Sequence, residues 1–199
     1  LPGQCLASLH LWVLPLTQDG QPQLVRQLLN EETLVASTVA DGFGEVYTDF
    51  AVHPDGYSRM VLLVGGMTPR RLGRLVQGLL EIETYRMMAW LGLPVARSAA
   101  PALALAEQEL ADLALAIRSA HQDEEAELLE RLTRLAGQMD GLYAAQHSRF
   151  SATKAYFERV DRRILDIRET RLPGFQSVGE FMDRRLSPAR STCDWVAKR

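Results

Sequence analysis

Cysteine is scarce in this chain. Cys5 and Cys193 lie near opposite ends with no CxxC spacing, which argues against a disulfide framework and a thiolate zinc site and fits a reducing compartment. Histidine is sparse too: His10, His53, His121 and His147 show no HxxxH or HExxH spacing, so a zinc centre is not indicated. A phosphate-cradling glycine loop is also missing. Gly42-Phe43-Gly44 lacks the third glycine and stands between two expected strands, whereas dinucleotide binding needs a strand followed by a helix with free amides. The uncharged run Leu1 to Gln18 is broken by Gln4, Ser8 and His10, closed by Pro15 and preceded by no basic segment, so it reads as a buried strand rather than a signal or membrane span.

What is present is ordinary globular material. With 199 residues, 47% hydrophobic and 24% charged, the chain has enough for one sizeable core or two small ones. It begins at Leu1 without methionine and ends inside an apparent helix, so it is expected to be a piece of a longer protein. The formal charge of −3 conceals a segregation. Residues 1–100 hold seven basic and nine acidic side chains, 101–145 three and nine, and 146–199 twelve and seven. An acidic helix beside a basic one helps fix which helices pair; alternatively the basic end faces a membrane surface or nucleic acid.

The first 95 residues are expected to form an α+β domain with a small, mostly antiparallel four-stranded sheet and covering helices. Ala7, Leu9, Leu11 and Val13 alternate with polar or amphipathic neighbours as in a strand, and Asp19-Gly20 turns into a short helix from Gln21 to about Asn30. Val35–Ala40 and Glu45–Val52 flank a hairpin connection, and His53-Pro54-Asp55-Gly56 leads into Ser58–Val64. Met60–Val64 is apolar on both faces, which places that strand centrally, covered on both sides. Thr68-Pro69 supplies a capping hydroxyl and a first-position proline for a helix reaching about Leu91. Its polar stripe holds Arg74, Gln77, Glu81 and Tyr85.

Gly92, Pro94 and Pro101 read as a linker, after which residues 96–199 are expected to form long antiparallel helices, a hairpin or stalk. Leu103, Ala106, Leu110, Leu113 and Ile117 space the first helix, which breaks near Ser119–Gln122. The second carries a seven-residue repeat in two registers: Leu129, Ala136, Tyr143, Phe150, Phe157 and Ile164, and Leu132, Met139, Gln146, Thr153, Val160 and Ile167. Gln146 and Thr153 weaken its middle and could specify register or mark a bend, and the seam can pair within one chain or between chains. Asp123, Glu124, Glu125 and Glu127 suit the dipole at that helix's start without any metal. Leu172-Pro173-Gly174 ends it, Ser177-Val178-Gly179-Glu180 is a capping box for the last helix, and Pro188 kinks or restarts that helix.

No residue constellation forces an activity. Arg74, Glu81, Glu83, Tyr85 and Arg86 could act as acid or base, yet with no nucleophile, histidine or glycine loop nearby they read as an ion-pair network tying helix to sheet. Arg149, Lys154, Arg159, Arg162, Arg163, Arg168 and Arg171 are interleaved with Glu158, Asp161, Asp166 and Glu169 at helical pairing distance, which disfavours nucleic acid. No catalytic, cofactor-binding or metal-ligating residue is therefore assigned, and no cofactor is expected.

Three stretches carry a resemblance: GRLVQGLLEIETYRMMAWLGLP (73–94), RFSATKAYFERVDRRI (149–164) and EFMDRRLSPARSTC (180–193). Together they resemble an uncharacterised family of predicted membrane-anchored proteins from Gram-negative bacteria, a domain of unknown function. The resemblance covers about Asp41 to Arg199, and it implies further helix and then a hydrophobic hairpin near the end of the full protein. It brings no catalytic residues. What it implies is a non-enzymatic domain on the cytoplasmic face of the inner membrane, which the expected helices would assemble into a homo-oligomer. Soluble α/β domain, long helices and two final membrane helices are also the layout of CorA-type divalent-cation channels, so a divalent cation is a candidate ligand by analogy. The alternative is a membrane-tethered scaffold binding a protein or nucleic acid through its basic end.

Overall fold

The computed structural model describes residues 4–17 and 22–198, so the expected Asp19-Gly20 turn lies outside the described residues. The fold is α+β. Strands β1 (Leu9–Pro15), β2 (Val35–Val39), β3 (Gly44–Thr48), β4 (Ser58–Val64) and β5 (Thr170–Arg171) form one sheet in the order β1-β4-β3-β2-β5. The helices are α1 (Pro22–Leu28), α2 (Pro69–Trp90), α3 (Gly92–Ser119), α4 (Glu125–Asp166) and α5 (Val178–Ala197).

The expected four-stranded, mostly antiparallel sheet is corrected in two respects. It has five strands, and it is mixed, because β1 runs parallel to β4 from Leu9↔Ser58 to Pro15↔Val64. Some forty residues separate these strands, so no tight turn dictates their direction; β4, apolar on both faces, simply takes an apolar neighbour on each edge. Its Met60, Val61, Leu62 and Leu63 are all at most 2% exposed, as the central position requires. β5 is two polar residues long and pairs with Ser37 and Thr38, leaving no alternation for a sequence to display.

Period-two alternation assigns the faces. On one, Val61 and Leu63 pack with Val25 of α1, with Leu29 just after it, and with Trp12 and Leu14 of β1. On the other, Ser58 bonds Glu83 of α2, and Ser37 bonds Glu169 just before β5. The Thr68 hydroxyl accepts from the Arg71 amide at 3.4 Å, and Ser177 and Glu180 cap each other reciprocally at 2.9 and 3.2 Å.

Gly92 to Pro101 is helix, not linker. Pro94 falls in the first turn of α3, where amides have no helical partner, and Pro101 removes a single interior bond. The buried line Leu93, Ala96, Ala99, Leu103, Ala106 and Leu113 carries the helix past both. Likewise α5 runs through Pro188 without restarting. α4 ends at Asp166, six residues before the expected stop, and Arg168 turns the chain with φ 47°.

Two compact units are interleaved in sequence. One comprises residues 1–88 and 156–187, the other 89–155 and 188–199, so the divisions fall inside α2, α4 and α5. A cut near 95 falls inside α3, leaves β5 beyond it, and has both later helices contributing to both units. In the second unit Ala96, Ala99 and Leu103 pack with Phe150, Cys193 and Val196, and a Cβ at Gly92 would come within 3.0 Å of the Thr153 Cβ. Burial there also pushes the Cys193 thiol up, with the Asp194 charge adding to it.

The heptad seam holds only in part. Phe150, Thr153, Phe157, Val160 and Ile167 are buried, but Leu129, Leu132 and Tyr143 are exposed and Leu135, in neither register, is buried. The covered line through the first half is Leu128, Leu135, Met139, Leu142, Gln146 and Phe150, of which Met139, Gln146 and Phe150 are repeat positions and the other three are not. Residues 128, 139 and 150 recur every eleven, about 3.67 per turn, which a nearly straight α-helix holds and a strict seven-residue repeat does not.

Candidate functional site

Two features stand out, one in each unit. In the sheet-containing unit, α2 lies against the C-terminal half of α4 closely enough that a Cβ at Gly78 would be 3.3 Å from Ile167. This contact organises the polar stripe. Gln77 donates to Glu81 at 2.8 Å, the Arg163 guanidinium donates to the other Glu81 oxygen, and Arg163 also reaches Asp166 at 2.7 Å. Tyr85 stacks on Tyr156 at 6.0 Å, with the Arg159 guanidinium 5.5 Å from the Tyr85 ring. Glu83 and Arg86 form a separate, buried pair facing the sheet. The stripe therefore splits: one part ties α2 to α4, the other ties α2 to β4.

The Gln77 hydrogen bond, followed by Arg163, holds the Glu81 carboxyl below its ordinary value of 4.5. A depressed folded-state value stabilises the protein above the unfolded value, and that contribution is lost as pH falls through the folded one. Glu81→Gln is therefore expected to lower the melting temperature at neutral pH and to match the unmutated chain in strong acid. A gap that persists in acid would contradict this.

At the open end of the same contact is a cleft of about 570 Å³. The β2–β3 turn supplies Asp41, α2 supplies Arg71 and Arg74, and the end of α4 with its following turn supplies Arg163, Asp166 and Arg168. Leu75 and Ile167 give it apolar wall. Two carboxylates hold most of the guanidinium groups: Asp41 accepts from Arg71 at 2.7 Å and Arg168 at 3.0 Å, and Asp166 pairs Arg163 at 2.7 Å and Arg162 at 3.4 Å. Arg71 also donates to the Ala40 carbonyl at 2.8 Å and lies 4.6 Å from the Phe43 ring. Arg74, exposed, has no hydrogen bond or ion pair among the described residues. Ala40, Asp41 and Arg168 all have positive φ, at 54°, 58° and 47°, a conformation costing about 1–3 kcal/mol each in non-glycine residues. The Ala40 amide, donating to the Ile167 carbonyl at 2.8 Å, locks the two turns together.

In the helical unit the second feature is the uncovered part of the heptad repeat. Leu129, Leu132, Ala136 and Tyr143 form an exposed stripe on α4, the leucines and the tyrosine between 37% and 65% exposed. Leu105 and Leu115 of α3 are exposed as well.

The other sequence candidates do not converge. His10 lies tilted against the Tyr57 ring at 4.0 Å, His53 lies 2.9 Å from Asp49, His121 is exposed beyond α3, and His147 contacts the Tyr143 ring at 4.8 Å. Among the described residues no group of three His, Cys, Asp or Glu side chains could hold a metal ion. Gly42-Phe43-Gly44 connects β2 to β3, strand to strand, with no helix following. The cleft escaped the sequence reading because its parts come from three distant segments; a dense run of arginines after residue 158 was the one available signal.

A mixed-sheet α+β domain with an arginine cleft and long, partly uncovered helices defines a class by shape alone. The chain belongs to the family described as Protein of unknown function (DUF3422), whose model matches residues 1–199. No curated protein and no solved structure matches the chain.

Proposed function

We propose that this is a non-enzymatic assembly domain whose α4 helix pairs with α4 of a second copy. The observation that carries it is the exposed stripe Leu129, Leu132, Ala136 and Tyr143, whose three-four-seven spacing suits a partner helix and whose exposure leaves it without one in the single chain. An antiparallel pair centred on Ala136 sets Leu129 against Tyr143. It also brings the acidic start, Asp123 to Glu127, beside His147 and Arg149, whereas a parallel pair would oppose like charges. The occupant is therefore a second copy in antiparallel orientation.

The family resemblance suggests where this pairing operates, at the cytoplasmic face of the inner membrane, with the anchor in further sequence. A divalent-cation role on the CorA layout rests on that layout alone and would draw ligands from carboxylates of more than one copy. In solution the chain is expected to have a dimer's mass by light scattering at micromolar concentration, and Leu129→Glu with Leu132→Glu is expected to halve it while helix content stays unchanged. A monomeric unmutated chain, or a variant of the same mass, would overturn the proposal.

A further inference from the structure

The arginine cleft belongs to neither the pairing stripe nor the sheet core. Its lining has four guanidinium groups, Arg71, Arg74, Arg163 and Arg168, against two carboxylates, Asp41 and Asp166, so the walls carry net positive charge. Three of the four are already oriented by carboxylates, which lowers the ordering cost of receiving an anion, and Arg74 retains all its donors. About 570 Å³ is far more than a bare oxyanion fills and lies within the roughly 300–1,000 Å³ usual for small-molecule sites. Leu75 and Ile167 add apolar wall for a carbon framework.

The backbone points the same way. Of the four non-glycine residues with positive φ among those described, Ala40, Asp41 and Arg168 line this cleft. Strained residues persist only where surrounding structure over-determines them, and they cluster at ligand sites. Here the strain places the carboxylate that holds Arg71 and Arg168.

We infer that the cleft binds an organic phosphate, its dianionic group held by Arg74 with Arg71 and Arg168 and its carbon framework set against Leu75 and Ile167. Two sources share this chemistry: a free phosphomonoester, and the headgroup of an anionic phospholipid. Titration calorimetry on the whole chain at physiological salt distinguishes them, using phenyl phosphate in one arm and phosphatidylcholine vesicles with and without phosphatidic acid in the other. Arg74→Gln and Arg168→Gln are the test variants. Arg118→Gln, exposed in the last turn of α3 in the helical unit, is the control.

Saturable binding of phenyl phosphate, weakened about tenfold or more by either cleft variant and unchanged by the control, supports the inference with a soluble ligand. Binding confined to phosphatidic acid vesicles with the same dependence supports it with a lipid. Absence of saturable binding in both arms overturns it. So does equal weakening by Arg118→Gln, which would reveal diffuse attraction. Because Arg74 is exposed and unpaired, its replacement is expected to leave the melting temperature unchanged, keeping loss of binding separate from loss of fold.

Discussion

Replacing Glu83 with alanine is expected to destabilise the chain by about 3–5 kcal/mol, the usual cost of orphaning one member of a buried ion pair. Glu83 is 2% exposed and Arg86 9%. Arg86 donates to both Glu83 oxygens, at 2.8 and 2.7 Å, and the Ser58 hydroxyl of β4 donates at 3.0 Å. Removing the carboxylate leaves a guanidinium between α2 and the sheet with only the distant Phe50 carbonyl, at 3.5 Å, and the Phe50 ring, at 5.3 Å, for company. Since folding stability is commonly only about 5–15 kcal/mol, the loss is a large share of the whole. Urea unfolding measures it. Glu83→Leu combined with Arg86→Met should recover most of the stability, because neither charge then remains buried. A single-variant loss below about 1 kcal/mol, within the range of a surface pair, would mean that the pair is solvated.

Glu169→Ala is expected to cost about 3 kcal/mol, for a different reason. This carboxylate follows α4 and sits at the start of α5. It accepts from the Ser37 hydroxyl at 2.7 Å, the Ser177 hydroxyl at 3.2 Å, and the amides of Val178 and Gly179 at 3.1 and 2.8 Å. It thus serves as a second cap for α5, beyond the Ser177–Glu180 box, and ties that helix to β2. Ser37 and Val178 are buried, so water cannot replace what they lose. Glu169→Gln should retain only part of the stability, because one oxygen becomes a donor facing other donors. Denaturation midpoints of the two variants check the order; equal stability of Glu169→Ala and the unmutated chain would contradict it.

Local signals in the sequence were legible where one segment decided the outcome. Five contiguous apolar residues placed β4 in the middle, Thr68-Pro69 started α2, and Ser177 with Glu180 started α5. Decisions taken between segments were not legible. The direction of β1 depends on which edge of β4 is vacant, and β5 depends on a turn that brings Thr170 to Thr38. Pro94 and Pro101 resembled breakers, but the buried alanine and leucine face of α3 outweighs one missing hydrogen bond. The heptad was real as a spacing, yet packing followed the 3.6-residue period of a straight helix and left four of its twelve positions, all before residue 144, outside. For the cleft, Arg74 and the later arginines could be seen singly. Asp41 and Arg168, joined at 3.0 Å, are 127 residues apart, and only the fold brings them together.

The most direct test of the pairing is disulfide formation at the centre of the stripe, in a chain whose exposed Cys5 and buried Cys193 are replaced by serine. Antiparallel α4 helices crossing at residue 136 bring the two copies of that position together, while the two copies of residue 129 lie about 20 Å apart at about 1.5 Å per residue. A disulfide needs Cα atoms within about 7 Å. Ala136→Cys is therefore expected to give a cross-linked dimer on mild oxidation, and Leu129→Cys is expected to remain uncross-linked. Failure at position 136, or equal cross-linking at both, would contradict antiparallel pairing through this stripe.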